Sequence, residues 1–117
     1  MNKIFVAIAI FFTALVVVQA VLGRSSPEEK KAARAKVKAG AFVVDVRTPD
    51  EFAAGHFNGA TNIPVQEIKG RLGELGAKDR AIVVYCRSGA RAGSAKATLI
   101  DAGFTNVLNA GGLSDLK

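Results

Sequence analysis

One stretch of the chain, AIVVYCRSGARAGSAKATLIDAG at residues 81–103, constrains its fold more than any other. The β-branched and aromatic run at 82–85 predicts a buried strand, and the pattern from about 92 to 102 predicts a helix. Gly103 is typical of the left-handed residue that follows a helix end. A buried strand that passes through a short loop into a helix is the building unit of an α/β domain.

The loop of this stretch opens with Cys86, the only cysteine in the chain. The first N–H groups of a helix have no partners within it, and together with the helix dipole they attract an anion. A cysteine there, with Arg87 and Arg91 beside it, is favoured as the reactive thiolate. We therefore predict that Cys86 is a catalytic nucleophile. The alternative is a small buried apolar residue, which free cysteines often are.

The rest of the chain alternates predicted helices with predicted strands. Ser26, Pro27 and the acidic residues after them are typical of a helix start, and Thr48 with Glu51 of a capping box. We predict helices at 26–40, 48–55 and 65–75, strands at 42–46, 60–63 and 106–108, and a turn at Gly111 and Gly112 before a short terminal helix. Gly70 and Gly73 weaken the helix at 65–75.

This alternation predicts an α/β domain with a mainly parallel central sheet of about four to five short strands flanked by helices. Loops at the carboxyl ends of parallel strands form the ligand crevice of such a domain. Asp45 and Arg47 lie at the end of one predicted strand, and Cys86 at the end of another. We expect all three to share one edge of the sheet.

The chain begins with Lys3 and a mainly apolar run at 4–22. Val18, Gln19 and Ala20 fit a signal-peptidase site after Ala20, which predicts a signal peptide at 1–20 and a periplasmic domain at 27–117. The run is also long enough for an uncleaved inner-membrane anchor at 4–22. Basic residues follow the run. If the segment were retained in the membrane, the positive-inside rule would therefore argue for a cytoplasmic domain.

Charge and composition exclude several classes of function. The formal net charge is +6, which attracts small anions, but there is no Trp and one Tyr, so we expect no nucleic-acid partner. One cysteine forbids an intrachain disulfide, and one Cys with one His cannot assemble a metal-ligand cluster. We predict a monomer without a metal or cofactor, with membrane contact only if the leader is retained.

The Cys86 loop and two distant segments together resemble the rhodanese-type sulfurtransferases. The segments are Cys86-Arg87-Ser88-Gly89-Ala90-Arg91; Asp45-Val46-Arg47 with Glu51-Phe52, Gly55-His56, Gly59-Ala60 and Asn62-Ile63-Pro64; and Asn109-Ala110-Gly111-Gly112-Leu113. With its length and leader, the chain is most similar to the small periplasmic rhodaneses of the phage-shock type. The resemblance implies transfer of sulfane sulfur from a thiosulfate-type donor to cyanide or a thiol through a Cys86 persulfide. The implied partners are thus a small anionic sulfur donor and a nucleophilic acceptor.

The resemblance also implies roles for individual residues. The backbone of Arg87, Ser88, Gly89, Ala90 and Arg91 would cradle the persulfide. Arg91 would steady the loop and meet the anionic donor, whereas Arg87 occupies a variable family position.

Three residues upstream of the Cys86 loop are expected to be structural rather than catalytic. Asp45 and Arg47 can tie the crevice edge through an ion pair, and His56 is expected to be a hydrogen-bonded scaffold residue.

Two alternatives to a sulfurtransferase remain open. Cysteine phosphatases need five residues between the cysteine and the arginine, and here four separate Cys86 from Arg91, which disfavours a phosphoryl group. Their general acid would have to be Asp45. The second alternative is a non-enzymatic persulfide carrier or stress-associated binding module, in which loaded Cys86 passes sulfur to one protein partner.

Overall fold

Four parallel strands form the central sheet of the structure, a computed structural model that describes residues 24–117. In chain order they are β1 (Phe42–Asp45), β2 (Thr61–Asn62), β3 (Ile82–Cys86) and β4 (Val107–Gly112). Their order across the sheet is β2-β1-β3-β4, and every neighbouring pair is parallel. The predicted α/β class and the parallel sheet are confirmed.

In the described part of the chain, four α-helices accompany the sheet: α1 (Pro27–Lys38), α2 (Pro49–Ala53), α3 (Ala90–Asp101) and α4 (Leu113–Leu116). The side chain of Ser26 caps α1 by accepting from the N–H of Glu29. The predicted capping box at the start of α2 is also present, between Thr48 and Glu51. These local signals confirm the predicted helix starts. Helix α3 begins two residues earlier than predicted, directly after Gly89.

The predicted amphipathic α-helix at 65–75 is wrong. The segment forms two 3₁₀ helices, Val65–Gly70 and Leu72–Leu75. Gly70 and Gly73 lower the helix propensity of the segment, and a 3₁₀ helix brings residues three apart onto one face. Ile68 of the first and Leu75 of the second are buried in the core.

Strand β4 is longer than the predicted strand at 106–108, and the predicted turn at Gly111 and Gly112 lies within it. The pairing partner of Val84 is Asn109, but that of Cys86 is Gly112, so β4 contains one extra residue. Such a bulge needs unusual backbone angles, and Gly111 supplies them with φ of +89°. The bulge brings the two glycines alongside the end of β3.

Alternate residues of the strands enter two separate cores, one on each face of the sheet. Val44, Val84 and Cys86 pack with α3 and the 3₁₀ helices on one face. Val43, Val83, Tyr85 and residues of α1 and α4 pack on the other. The domain thus has three layers, with β1 and β3 at its centre.

The predicted signal peptide at 1–20 and the alternative anchor at 4–22 lie outside the described residues. Within residues 24–117 no helix is long and apolar enough to cross a membrane.

Candidate active site

The carboxyl ends of β1 and β3 lie side by side at the centre of the sheet, with Asp45 paired to Tyr85 in the register. The chain leaves β1 toward β2 and leaves β3 toward β4, on opposite sides. In α/β folds a crevice opens at the point where strand connections diverge in this way. The residues after β1 and β3 therefore face one crevice, which brings Arg47 and the Cys86 loop together.

Cys86 ends β3, and its sulfur points into the turn that precedes α3. The main-chain N–H of Gly89 donates to Cys86 Sγ over 2.9 Å, and that of Ala92 over 3.4 Å. Gly89 has φ of +99°, a left-handed conformation that a glycine adopts without steric cost. This conformation turns the N–H of Gly89 toward the sulfur, at the positive end of the α3 dipole.

The cradle of N–H groups differs in detail from the one that the resemblance implies. Gly89 lies inside the predicted segment, but the second donor, Ala92, lies one residue beyond it. Ser88 and Ala90 are exposed and Gly89 is buried. Cys86 itself has no solvent exposure and packs against the core on the α3 face. The sulfur therefore sits beneath the protein surface with two N–H donors aimed at it.

Arg91 forms a two-pronged ion pair with Glu51, which lies on α2. Its Nη1 donates to Oε1 over 2.6 Å and its Nη2 to Oε2 over 3.0 Å. The hydrogen bonds from Arg91, with help from the Thr48 N–H, lower the pKa of Glu51 to about 2. The same pair raises the pKa of Arg91. Arg91 thus joins the first turn of α3 to α2 across the crevice.

Asp45 and Arg47 form a buried ion pair under the crevice. Arg47 Nη2 donates to Asp45 Oδ2 over 2.6 Å, and Arg47 Nε donates to the same carboxylate. Arg47 Nη2 also donates to the carbonyl of Gly55 over 2.7 Å. The hydrogen bond to Asp45 raises the pKa of Arg47, which stays a cation.

Tyr85 completes this buried network from β3. Its hydroxyl donates to Asp45 Oδ2 over 2.7 Å and accepts the N–H of Phe57 over 2.9 Å. Burial is the main cause that raises the pKa of Tyr85 to about 12, and the hydrogen bond to Asp45 adds to it. The network ties the loop after β1 to β3 beside the Cys86 loop.

His56 lies apart from Cys86, in the loop after α2. Its Nδ1 is 2.9 Å from the carbonyl oxygen of Phe52, and its ring stacks on that of Phe52 with centroids 3.7 Å apart. Both contacts tie the loop to Phe52 on the preceding helix α2.

A cleft of about 520 Å³ opens beside the Cys86 loop. Its lining comprises Arg47, Glu51, Ala54, Arg87, Leu113, Ser114 and Lys117. Arg87 is exposed and directly follows Cys86, so the cleft borders the Cys86 loop, although Cys86 itself is not part of its lining. Arg87 and Lys117 contribute positive charge to the lining, whereas Arg47 is paired with Asp45 and Glu51 with Arg91, so the cleft favours an anion.

Two residues near the Cys86 loop escaped the sequence-based interpretation. The sequence assigns Glu51 to a capping box and a family segment, and Asn109 to a family segment, but it does not indicate their contacts; the side chain of Asn109 donates to the carbonyl of Gly89. Nothing local indicates these contacts, because 40 residues separate Glu51 from Arg91 and 20 separate Gly89 from Asn109. In residues 24–117 no group of three or more His, Cys, Asp or Glu could hold a metal ion.

Residues 26–117 match the rhodanese-like domain family, and the chain belongs to it. Relatives in this family include the thiosulfate sulfurtransferase PspE of Escherichia coli K12, 42% identical over 74 residues that cover 62% of this chain and 71% of PspE. The thiosulfate sulfurtransferase GlpE of Pseudomonas entomophila is 40% identical over 91 residues, covering 76% of this chain and 78% of GlpE. Among solved structures, a rhodanese with anions from E. coli superimposes with a TM-score of 0.62 at 40% identity, covering 65% of this chain and 91% of that one.

Proposed function

We propose that this protein is a thiosulfate-type sulfurtransferase that carries sulfane sulfur on Cys86. The observation that carries the proposal is the placement of Cys86 Sγ against the N–H groups of Gly89 and Ala92 beside a cationic cleft. Hydrogen bonds to a charged group favour its charged form, so this geometry suits a thiolate and then a terminal persulfide anion. The related thiosulfate sulfurtransferases from E. coli and P. entomophila support the same assignment.

In the first half-reaction the Cys86 thiolate attacks the outer sulfur of thiosulfate. A new S–S bond forms on Cys86, the S–S bond of thiosulfate breaks, and its electron pair leaves with sulfite. In the second half-reaction cyanide or a thiolate attacks the terminal sulfur of the persulfide. The Cys86–sulfur bond breaks, its electron pair returns to Cys86 as thiolate, and thiocyanate or a new persulfide leaves. This is covalent catalysis with ping-pong kinetics.

The other predicted site residues receive supporting roles in this scheme. In the loop from Arg87 to Arg91, Gly89 directs its N–H at the reacting sulfur, and Ala92 adds a second donor. Arg87 and Lys117 give the cleft the positive charge that attracts a dianionic donor. Arg91 acts through its pair with Glu51, since both of its terminal nitrogens are already engaged there. Asp45, Arg47 and His56 hold the surrounding loops.

Burial of Cys86 adds one requirement to the scheme. The donor must reach a sulfur that has no solvent exposure in the resting structure, so the side chain of Cys86 or the loop above it must move first.

The intact mass of the purified chain after incubation with thiosulfate tests the proposal. We expect one added sulfur, about 32 Da, on the wild type and none on Cys86→Ser, with the mass restored by cyanide. A wild-type mass that does not change at saturating thiosulfate would rule out the persulfide route.

A non-enzymatic carrier is the second candidate, because the covered Cys86 could also protect a loaded sulfur until a protein partner docks. Catalytic turnover distinguishes the enzyme from the carrier. Repeated formation of thiocyanate from thiosulfate and cyanide supports the enzyme, whereas a single stable loading without turnover supports the carrier. A phosphatase is disfavoured by the four-residue spacing between Cys86 and Arg91.

We also propose that the domain acts in the periplasm after cleavage of a signal peptide following Ala20. The apolar run at 4–22 and the small residue at the cleavage position support export. The intact mass of the protein isolated from the periplasmic and inner-membrane fractions distinguishes a cleaved signal peptide from a retained anchor. A periplasmic chain that begins at Val21 supports the proposal, and a full-length chain in the inner membrane supports the anchor.

A further inference from the structure

Asn109 reaches from β4 to the back of the Cys86 loop and is buried there. Its Nδ2 donates to the carbonyl of Gly89 over 3.0 Å, and its Oδ1 accepts the N–H of Gly111 over 2.9 Å. We propose that Asn109 is a positioning residue for sulfur transfer, which fixes Gly89 so that its N–H points at Cys86 Sγ. This inference rests on the proposed function of Cys86.

Gly89 needs an external partner because glycine is the residue with the greatest backbone freedom. Its N–H donates to Cys86 Sγ over 2.9 Å, whereas its carbonyl points the other way, toward Asn109 and the N–H of Gly93. The carbonyl and the N–H are joined through one Cα. A hydrogen bond that holds the carbonyl therefore limits the directions that the N–H can take.

The main chain of Asn109 is in turn held by Glu29 on α1. The N–H of Asn109 donates to Glu29 Oε2 over 2.8 Å, and Lys96 Nζ on α3 donates to the same oxygen over 2.6 Å. The side chains of Glu29 and Lys96 are each about one-fifth exposed. One carboxylate thus links α1, α3 and β4 behind the loop, and it fixes the strand from which Asn109 reaches Gly89.

The β4 bulge packs closely against the Cys86 loop. An added Cβ on Gly89 would lie 3.2 Å from Gly111 Cα, and one on Gly112 would clash with the carbonyl of Arg87. The β4 bulge and the loop therefore fit against each other without intervening side chains, and Asn109 supplies the hydrogen bond across this contact. The side-chain hydrogen bonds of Asn109 go to Gly89 and Gly111 and not to Cys86 Sγ, so its effect acts through Gly89.

Asn109→Asp tests the proposal, because it keeps the acceptor for Gly111 and replaces the donor to Gly89 with an oxygen. We expect the single-turnover rate of persulfide formation at saturating thiosulfate to fall about ten- to hundredfold. The half-saturating thiosulfate concentration should change less than twofold, since the cleft residues are untouched. Val107→Ala, a buried change at the far end of the same strand, should lower the melting temperature and leave both constants unchanged.

Hydrogen exchange of the Gly89 amide gives a second readout that does not depend on sulfur transfer. In Asn109→Asp it should exchange about tenfold faster than in wild type. The Val46 amide, which donates to the carbonyl of Tyr85, serves as an internal reference and should be unaffected. Asn109→Ser removes the same donor without adding a charge, and it takes the place of the aspartate variant if that one does not fold.

The two readouts separate failure of this inference from failure of the proposed function. A wild-type protein that does not load sulfur contradicts the proposed function, while exchange at Gly89 still tests the hydrogen bond from Asn109. A wild type that loads sulfur, with Asn109 variants that load at the wild-type rate and protect Gly89 equally, overturns the positioning role.

Discussion

Arg91 and Glu51 lie 40 residues apart in the chain, and their side chains meet in a two-pronged pair with N–O distances of 2.6 and 3.0 Å. The pair links α2, which follows β1, to the first turn of α3, which follows the Cys86 loop. It therefore closes one side of the crevice and keeps Arg91 from turning freely into the cleft. Two-pronged pairs fix geometry as well as charge, because both oxygens and both nitrogens are held.

Because of its pair with Arg91, Glu51 is expected to make the stability of the folded protein depend on pH. The pKa of Glu51 is about 2 in the folded protein, below the ordinary value of 4.5. The folded state then binds fewer protons than the unfolded state between these values, so Glu51 adds stability above pH 4.5 that disappears as the pH falls toward 2. We expect the gap in melting temperature between wild type and Glu51→Gln to narrow across this window. A gap that is constant from pH 6 to pH 3 would contradict the prediction.

At Gly112, β4 packs tightly against the Cys86 loop. A Cβ at this position would overlap the carbonyl oxygen of Arg87, and a backbone atom cannot move aside cheaply. We expect Gly112→Ala to displace the loop and to lower the rate of sulfur loading at least about tenfold. Gly73→Ala is the matched control, because no atom lies within 4 Å of its added Cβ; mass spectrometry of both variants after timed exposure to thiosulfate gives the comparison. Equal loading rates would show that the loop tolerates the shift.

Tyr85→Phe removes the hydroxyl that donates to Asp45 and accepts from Phe57. Both partners then lose a hydrogen bond in a largely buried site, which we expect to lower the free energy of unfolding by about 1–3 kcal/mol. Urea unfolding at pH 7 measures this change.

Alkaline pH provides a separate test of the same hydroxyl. Since burial raises the pKa of Tyr85 to about 12, the folded wild type holds a proton that the unfolded chain loses near pH 10. Wild-type stability should fall between pH 10 and 12, and the difference between wild type and Tyr85→Phe should shrink across that range. A difference that grows instead would mean that the hydroxyl is ionised in the folded protein.

Arg47→Met leaves the Asp45 carboxylate buried without its main partner. Breaking a buried ion pair from one side is costly, and we expect a loss of about 3–5 kcal/mol in the free energy of unfolding. The double variant Asp45→Asn with Arg47→Met should lose less than the sum of the two single changes, because no unpaired charge remains. Strictly additive losses in urea unfolding would contradict a direct coupling between these side chains.

Local features of the sequence predicted the parts of the fold that depend on neighbouring residues. The caps at Ser26 and Thr48 form as expected, because they use N–H groups only three residues away. The run before Cys86 forms a fully buried strand, and Gly103 follows α3 with φ of +98°. The same reasoning placed Arg47 and the Cys86 loop at one edge of the sheet, since it needed only the strand pattern.

Features that depend on distant partners could not be predicted in this way. The β4 bulge follows from how Gly111 and Gly112 fit against the loop after Cys86, which no local pattern encodes. Gly70 and Gly73 weaken a helix at 65–75 but do not specify its type, and the first of the two 3₁₀ helices there packs against α3. The complete burial of the Cys86 side chain and the hydrogen bonds of Asn109 likewise arise from tertiary packing.

The enclosure of Cys86 has a consequence for the chemical survival of the protein. A thiol without a second cysteine in the same chain has two damaging fates in an oxidising environment: a disulfide with another molecule, and stepwise oxidation by peroxide to acids that are not readily reversed. Both need a reagent to touch the sulfur. Because the Cys86 side chain has no solvent exposure, an oxidant touches its sulfur only after the residues that cover it have moved.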